Sequence, residues 1–288
     1  MITSDRLAVA APELLGDRPL LSSPDRIRSL SELGFTALEL WTPWQVDEGC
    51  VDEVRRLLAA ADMAVTCVSS PSHLYGDETG KGHGLIEASI RIAQALGASR
   101  VNTYFGFGDA GDDRRAAERY AEAVGPLLDQ AATAGVNIVL ENEFDAFGWD
   151  PQHSDITRRA TSLRYLLTVI DHPHFGLTFD AANFACAGED VAASAATLAA
   201  RVGYVHVKDI VRASRDDAPP VGWKRYTDGD RAYHTTRLGA GEVPWDAVLR
   251  ELDAVGYDGP FTLEPHCEQG ALETQLIASR AVLCREGR

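Results

Sequence analysis

Short runs rich in β-branched and aromatic residues alternate with longer amphipathic stretches along the whole chain. The runs cover residues 6–10, 35–41, 64–70, 100–105, 137–143, 176–180, 203–209 and 261–265, and their length and make-up predict strands. Stretches with helical spacing follow at 24–33, 51–61, 85–96, 113–134, 162–170, 191–200, 245–255 and 272–283. Such alternation forces parallel strands joined by crossover helices. Eight units suit closure into one (β/α)8 barrel over residues 1–288. Gly97 and Gly135 stand where a helix end wants a left-handed residue, and Pro24 and Pro244 where a first helical turn tolerates a missing N–H. The glycine-rich phosphate loop of a doubly wound open sheet follows none of the strands.

Two connections are long, 144–161 after the fifth strand and 210–243 after the seventh. Both lie on the side where barrel enzymes build their sites, and the second is expected to be a loop over the C-terminal mouth.

Composition narrows the class. A chain of 288 residues fits one barrel, which needs about 250, and 45% hydrophobic residues can fill its core. Apolar runs stay short of the roughly 20 residues a membrane helix requires, and the N-terminal segment lacks the order of a leader peptide. The expectation is a cytoplasmic protein without a membrane partner. A formal charge of −16 and dispersed basic residues exclude nucleic acid as the natural partner. Five cysteines, widely spaced and with no CxxC pair, read as reduced thiols.

The chemistry lies at the ends of the last four strands. Each ends in a residue able to bind a metal: Glu141, Asp180, His206 and Glu264. Side chains alternate between the faces of a strand, and the preceding neighbours Leu140, Phe179, Val205 and Leu263 are apolar and belong against the helices. The ionisable residues therefore point into the barrel, two positions above Val139, Thr178, Tyr204 and Thr262. Three carboxylates around one point repel each other unless a cation neutralises them. Oxygen-rich ligation with one imidazole predicts one divalent metal ion, Mn²⁺ first, with Mg²⁺, Co²⁺, Zn²⁺ and Fe²⁺ as alternatives.

These residues and the eightfold pattern resemble the xylose-isomerase-like barrels, specifically the sugar phosphate isomerase/epimerase group of the AP endonuclease family 2 superfamily. The most telling stretches are VLENE (139–143), LTFDAAN (177–183), VHVKD (205–209), LGAGEVPW (238–245) and GYDGPFTLEPH (256–266). The resemblance covers essentially the whole chain. It implies that Glu141, Asp180, His206 and Glu264 are the metal ligands, and that Glu141 and Glu264 also exchange protons with substrate from opposite faces of a sugar carbon. Arg212 matches an arginine that contacts substrate oxygens in ketose epimerases of this kind. Those enzymes usually carry a His where this chain has Asn183 and a second Glu where it has Phe147; both departures fall in the substrate clamp, outside the metal site.

The expected activity is isomerisation or epimerisation of a ketose or keto-polyol through an enediolate, with a small-molecule sugar or polyol as partner and a homodimer or homotetramer as assembly. A lyase on the same scaffold, of the inosose or dehydroshikimate dehydratase kind or cleaving a keto-glycoside, is the closest alternative, and a non-catalytic sugar-binding protein a more distant one. An apurinic endonuclease needs histidines at the third and fourth strand ends, where this chain has Ser69, Ser70 and Asn102. Among further candidates, Lys208 steadies an oxyanion or pairs with Asp209 or a nearby carboxylate. Glu39 binds a substrate hydroxyl or is a satisfied buried carboxylate. Trp41, Trp44, Phe105 and Trp149 supply an apolar wall or pack the rim. His234 is read as a lid residue, and His266 as the best of the loop histidines.

Overall fold

The computed structural model describes residues 2–76, 80–106, 108–109, 112–144 and 153–284; Phe147 and Trp149 lie outside them. Eight parallel strands close a barrel: β1 (Leu7–Ala10), β2 (Ala37–Trp41), β3 (Ala64–Tyr75), β4 (Arg100–Gly106), β5 (Asn137–Glu141), β6 (Phe175–Asp180), β7 (Val202–Val207) and β8 (Phe261–Leu263). Each neighbours the next in sequence, and β8 pairs with β1. Outer helices follow in order: α1 (Pro24–Glu32), α2 (Val51–Ala60), α3 (Lys81–Leu96), α4 (Asp113–Ala134), α5 (Ala160–Val169), α6 (Val191–Leu198), α7 (Trp245–Ala254) and α8 (Leu272–Cys284). Gly97 and Gly135 cap α3 and α4 with φ of 74° and 69°. Among the described residues the short α-helices Ala11–Leu15 and Ala181–Ala187 escape the sequence reading, both too short to show a helical period. Among the described residues no helix is long and apolar enough to cross a membrane.

Strand parity divides the core as the sequence predicts. Leu140, Phe179, Val205 and Leu263 join the large apolar cluster. Burying each contributes roughly 1.5–3 kcal/mol. Cys67, Val139 and Tyr204 form a separate small cluster. The Tyr204 hydroxyl is tied to Thr66 Oγ1 at 3.0 Å and accepts from Thr262 Oγ1, so the barrel interior is plugged below the strand ends. That plug is the floor of the site.

The connection expected as a loop over 210–243 carries a three-stranded sheet. Strands Asp209–Ala213, Arg231–Thr236 and Arg225–Asp228 pair antiparallel in that spatial order. The last two flank a two-residue turn, Gly229–Asp230, a pair that favours a tight hairpin. This accessory sheet docks on the segment after β8. Glu268 N donates to Gly222 O at 2.8 Å, Thr235 Oγ1 donates to His266 O at 2.9 Å, and Tyr226 Oη bonds His266 Nδ1.

The LGAGEVPW stretch owes its form to one carboxylate. The buried Asp209 accepts from the backbone N–H groups of Ile210, Gly239, Gly241 and Val243 at 2.9–3.2 Å, which folds the return of the chain into α7. A Cβ on Gly241 would fall 2.0 Å from Asp209 Oδ1 and 2.5 Å from Ile210 O. Gly241→Ala should therefore cost about 1–3 kcal/mol by overpacking. A urea midpoint equal to that of the unsubstituted chain would contradict this role for the turn.

Candidate metal centre

The four strand-end residues converge. In the sheet register Glu141 lies opposite Thr178, Asp180 opposite His206, and His206 opposite Thr262. Glu141, Asp180, His206 and Glu264 each offer a ligand atom, all within 4.8 Å of one another, and all four residues are buried. Glu141 and Glu264 come from β5 and from just past β8, with β6 and β7 between them, so they reach the centre from different directions.

Each side chain is held by partners outside the four. The imidazole of His206 presents Nδ1 to Glu141 Oε1 at 2.9 Å and to Glu264 Oε2 at 3.3 Å, while Nε2 lies 2.8 Å from Glu39 Oε2. A carboxylate on the far ring nitrogen fixes the ring and is a common support for a metal-binding histidine. Glu39 accepts in turn from Trp41 Nε1 at 3.0 Å and Ser69 Oγ at 2.7 Å, so it is the satisfied buried carboxylate of the two readings above. Asn102 Nδ2 donates to Glu141 Oε2 at 2.9 Å and its Oδ1 accepts from Thr178 Oγ1 at 2.6 Å. Asp180 accepts through Oδ1 from Asn183 N, capping the Ala181–Ala187 helix. Its backbone N–H and C=O are both taken by the Asn142 side chain.

The charges show why the centre suits a cation. Burial opposes charge on the His206 imidazole, but Glu141, Glu264 and Glu39 overcome it and hold it well above the ordinary histidine range. Burial likewise acts to raise Glu264, yet His206, His266 and Lys208 outweigh it and hold that carboxyl below the usual range. Asp180 is raised by burial despite Lys208. Lys208 Nζ stands 2.6 Å from Asp180 Oδ2 as an ion pair, yet outside hydrogen-bonding geometry, so that buried oxygen makes no hydrogen bond. Three crowded carboxylates, an imidazole braced on its far side and a buried carboxylate oxygen without a hydrogen bond fit a divalent cation.

A second tier stands two residues further along the strands. Trp41 follows Glu39, Tyr104 follows Asn102, Glu143 follows Glu141, Lys208 follows His206 and His266 follows Glu264. Lys208 pairs with Asp180 and lies 3.7 Å from Glu264; its neighbour Asp209 is occupied by the turn described above. His266, at φ 47°, lies 3.7 Å from Glu264 Oε2 and 3.6 Å from Glu13 Oε1, with Tyr226 on its other nitrogen. Burial and Glu141 keep Glu143 well above the carboxylate range, and burial with the surrounding glutamates does the same for the Tyr104 phenol.

Of the other sequence candidates, Asn183 is in the site, its Nδ2 at 3.4 Å from Glu141 Oε1 and 2.9 Å from Asn142 O. Two stand on the accessory sheet. Arg212 is exposed on the accessory sheet, across from Tyr233, and His234 is buried in that sheet with Nε2 at 3.3 Å from Asp217 O. Once the connection folds as a sheet, alternation fixes where each side chain goes. Asn102, Asn142, Tyr104 and Glu13 are supports the sequence reading passed over. Extending the parity argument to β4 would have found Asn102 and Tyr104.

Residues 27–286 match the family described as xylose isomerase-like TIM barrel. No curated protein matches the chain in sequence. Among solved structures, the D-allulose 3-epimerase from Methylomonas sp., in complex with D-allulose, is 19% identical, with 100% of this chain and 98% of that one covered and a TM-score of 0.69. A probable 3-DHS dehydratase, AsbF, involved in petrobactin synthesis in Bacillus anthracis, is 17% identical over 98% of this chain and 100% of that one, at a TM-score of 0.71. The IOLI protein with a bound zinc atom is 15% identical over 97% and 98%, at 0.74. At such identities the likeness establishes the fold.

In the metal-free chain these charges set a pH dependence. The folded pKa of His206 lies above the unfolded value of about 6.5, so its contribution is full below that pH and lost as pH rises through the folded value. Asp180 and Glu143, also raised, act with the same sign. Glu264, lowered, adds stability above about pH 4.3 and its contribution is complete before neutrality. Chelator-stripped protein should unfold at lower urea at about pH 8 than at about pH 6; an equal or higher midpoint at the upper pH contradicts the proton-held centre.

Proposed function

The chain belongs to the xylose isomerase-like TIM barrel family, and on that premise we propose that it moves protons at the carbon beside a carbonyl of a sugar or polyol, interconverting epimers or isomers. The observation that carries this reading is the pair Glu141 and Glu264, both at the His206 imidazole yet entering from strands separated by two others. Glu141, Asp180, His206 through Nδ1, and Glu264 would hold one divalent ion, Mn²⁺ first among the metals that suit oxygen donors with one imidazole. When bound, the ion supplies Lewis-acid polarisation of the substrate carbonyl and compensates the negative charge that develops beside it.

The protein's own groups do the rest. One of Glu141 and Glu264 takes the proton and the other returns one. Return to the opposite face of the same carbon inverts it, and return to the adjacent carbon shifts the carbonyl. Asn102 and Asn183 aim the Glu141 carboxylate through its two oxygens. Glu39 keeps His206 from turning. Lys208, beside Asp180 and Glu264, steadies negative charge at the substrate oxygen nearest them.

A lyase reading rests on Glu143. Burial and the neighbouring Glu141 push its carboxyl well above the carboxylate range, which favours it as a donor to a leaving hydroxyl. The two readings differ in product, water being lost only in the second.

Glu141→Gln and Glu264→Gln should each lower turnover by about 10²–10⁴-fold, the usual worth of a positioned acid–base group. The measurement is incorporation of solvent deuterium into ketoses and keto-polyols supplied with Mn²⁺. Wild-type exchange at carbon, lost in both variants, supports the assignment. Full exchange in either variant sinks it.

A further inference from the structure

One ring at the mouth is held in a costly backbone conformation. His266, two residues past Glu264, has φ of 47°, a left-handed backbone that residues other than glycine rarely adopt. Among the described non-glycine residues only Asp62 shares it. The short helix after β1 and the accessory sheet keep it there. Glu13 of that helix accepts the His266 backbone N–H through Oε2 at 3.1 Å. Thr235 of the sheet donates to its C=O at 2.9 Å, and Tyr226 reaches its Nδ1. Tyr226 lies across from Tyr233, two residues from Thr235, so both contacts come from one face of the sheet. That face is anchored. Phe144 meets the Tyr226 ring edge-on at 5.3 Å, and the buried Asp228, two residues along the strand, accepts from Arg158. Strained backbone of this kind persists only where the surroundings over-determine it, and it gathers at functional sites.

These bonds also settle which ring nitrogen carries hydrogen. Burial holds the Tyr226 phenol well above its ordinary range, so it keeps its proton and donates to His266 Nδ1. Nδ1 is then the acceptor and Nε2 the N–H. That N–H lies 3.6 Å from Glu13 Oε1 and 3.7 Å from Glu264 Oε2, longer than a hydrogen bond to either. Glu13 is tied to the His266 backbone through its other oxygen, Oε2. The His266 side chain is 26% exposed, so its free edge reaches the opening. A ring donor and a carboxylate acceptor therefore stand side by side, each with hydrogen-bonding capacity to spare. A hydroxyl group both accepts and donates, and one placed between them satisfies both. Glu264, one of the two residues assigned to move protons at carbon, is the third neighbour of that place.

We infer that His266 and Glu13 form a hydroxyl-binding pair, which takes the substrate hydroxyl on the carbon that Glu264 serves. Tyr226 is the positioning residue that fixes the ring. The inference rests on the proton-transfer reading above and adds a required group: an α-hydroxy ketone whose hydroxyl on that carbon is present and free. It also gives the accessory sheet a task, because Tyr226 and Thr235 hold the ring from outside the barrel.

Calorimetry on the Mn²⁺-loaded protein tests this with D-fructose, L-sorbose and D-tagatose, each beside its 1-deoxy and 3-deoxy forms. These lack the hydroxyl on one or the other carbon flanking the carbonyl. For the tightest-bound ketose, one deoxy form should bind the wild type about tenfold or more weakly, because a site built for a hydroxyl rejects the analogue without it. His266→Leu should weaken the parent ketose by about the same factor and leave that deoxy form within about threefold, with one equivalent of Mn²⁺ still bound. His266→Gln, which keeps an amide donor near the place of Nε2, should recover most of the loss. Tyr226→Phe should weaken the parent by about 3–10-fold and spare the deoxy form. Equal binding of all three forms, no binding of any ketose, or unchanged affinity in His266→Leu overturns the inference. An equal loss for parent and deoxy forms, no recovery in His266→Gln, or loss of Mn²⁺ in His266→Leu overturns it as well, and makes His266 a structural support. Failure of the proton-transfer reading shows differently, as ketose binding that follows this pattern without deuterium exchange at carbon.

Discussion

Three buried carboxylates crowd one imidazole at the mouth of the barrel, and most of what surrounds them follows from that crowding. Glu141, Asp180 and Glu264 cannot all stay ionised at such range without positive charge between them. In the metal-free chain the charge comes from His206, held protonated between carboxylates on both ring nitrogens, and from Lys208 against Asp180. A divalent ion would meet the same need with more charge at one point, displacing the His206 proton on the Nδ1 side while Glu39 keeps the other. The asparagines have the complementary task. Asn102 and Asn183 give the Glu141 carboxylate, and Asn142 the Asp180 backbone, directed neutral partners without adding charge.

The barrel explains why four residues so far apart in sequence meet there. Parallel strands bring every C-terminal end to one rim, and the two-residue period fixes which side chains face inward. The Tyr204–Thr262–Thr66 hydrogen bonds close the interior below the centre. The second tier then decides what the pocket accepts. The same alternation that delivers Glu141 delivers Glu143 above it, and the one that delivers Glu39 delivers Trp41.

Much of this was legible in the sequence because it depends on local rules. Hydrophobic period and strand-end chemistry placed all eight barrel strands, the eight outer helices and the four clustered residues. What was missed depends on pairing across the chain. Glu39 read equally as a substrate contact or a satisfied buried carboxylate, and only the closed barrel shows that it braces His206 from the opposite side. Arg212 was placed near substrate by its match to an arginine of the resembled epimerases, and His234 as a lid residue of the connection at 210–243. The hairpin turn at Gly229–Asp230 builds a sheet there, in which Arg212 is exposed across from Tyr233 and His234 is buried beside Asp217. The alternation in RYTD and RAYHTT on either side of that Gly-Asp pair carried the signal.

Metal content tests the account most directly. Protein purified without chelator, and its Asp180→Ala variant, would be measured by inductively coupled plasma mass spectrometry before and after incubation with Mn²⁺. The account predicts about one equivalent of a divalent transition metal per wild-type chain, retained through desalting and lost in the variant. A wild-type chain that neither carries nor takes up Mn²⁺, Mg²⁺, Co²⁺, Zn²⁺ or Fe²⁺ would contradict it, and the carboxylate cluster would then be a proton-held structural core.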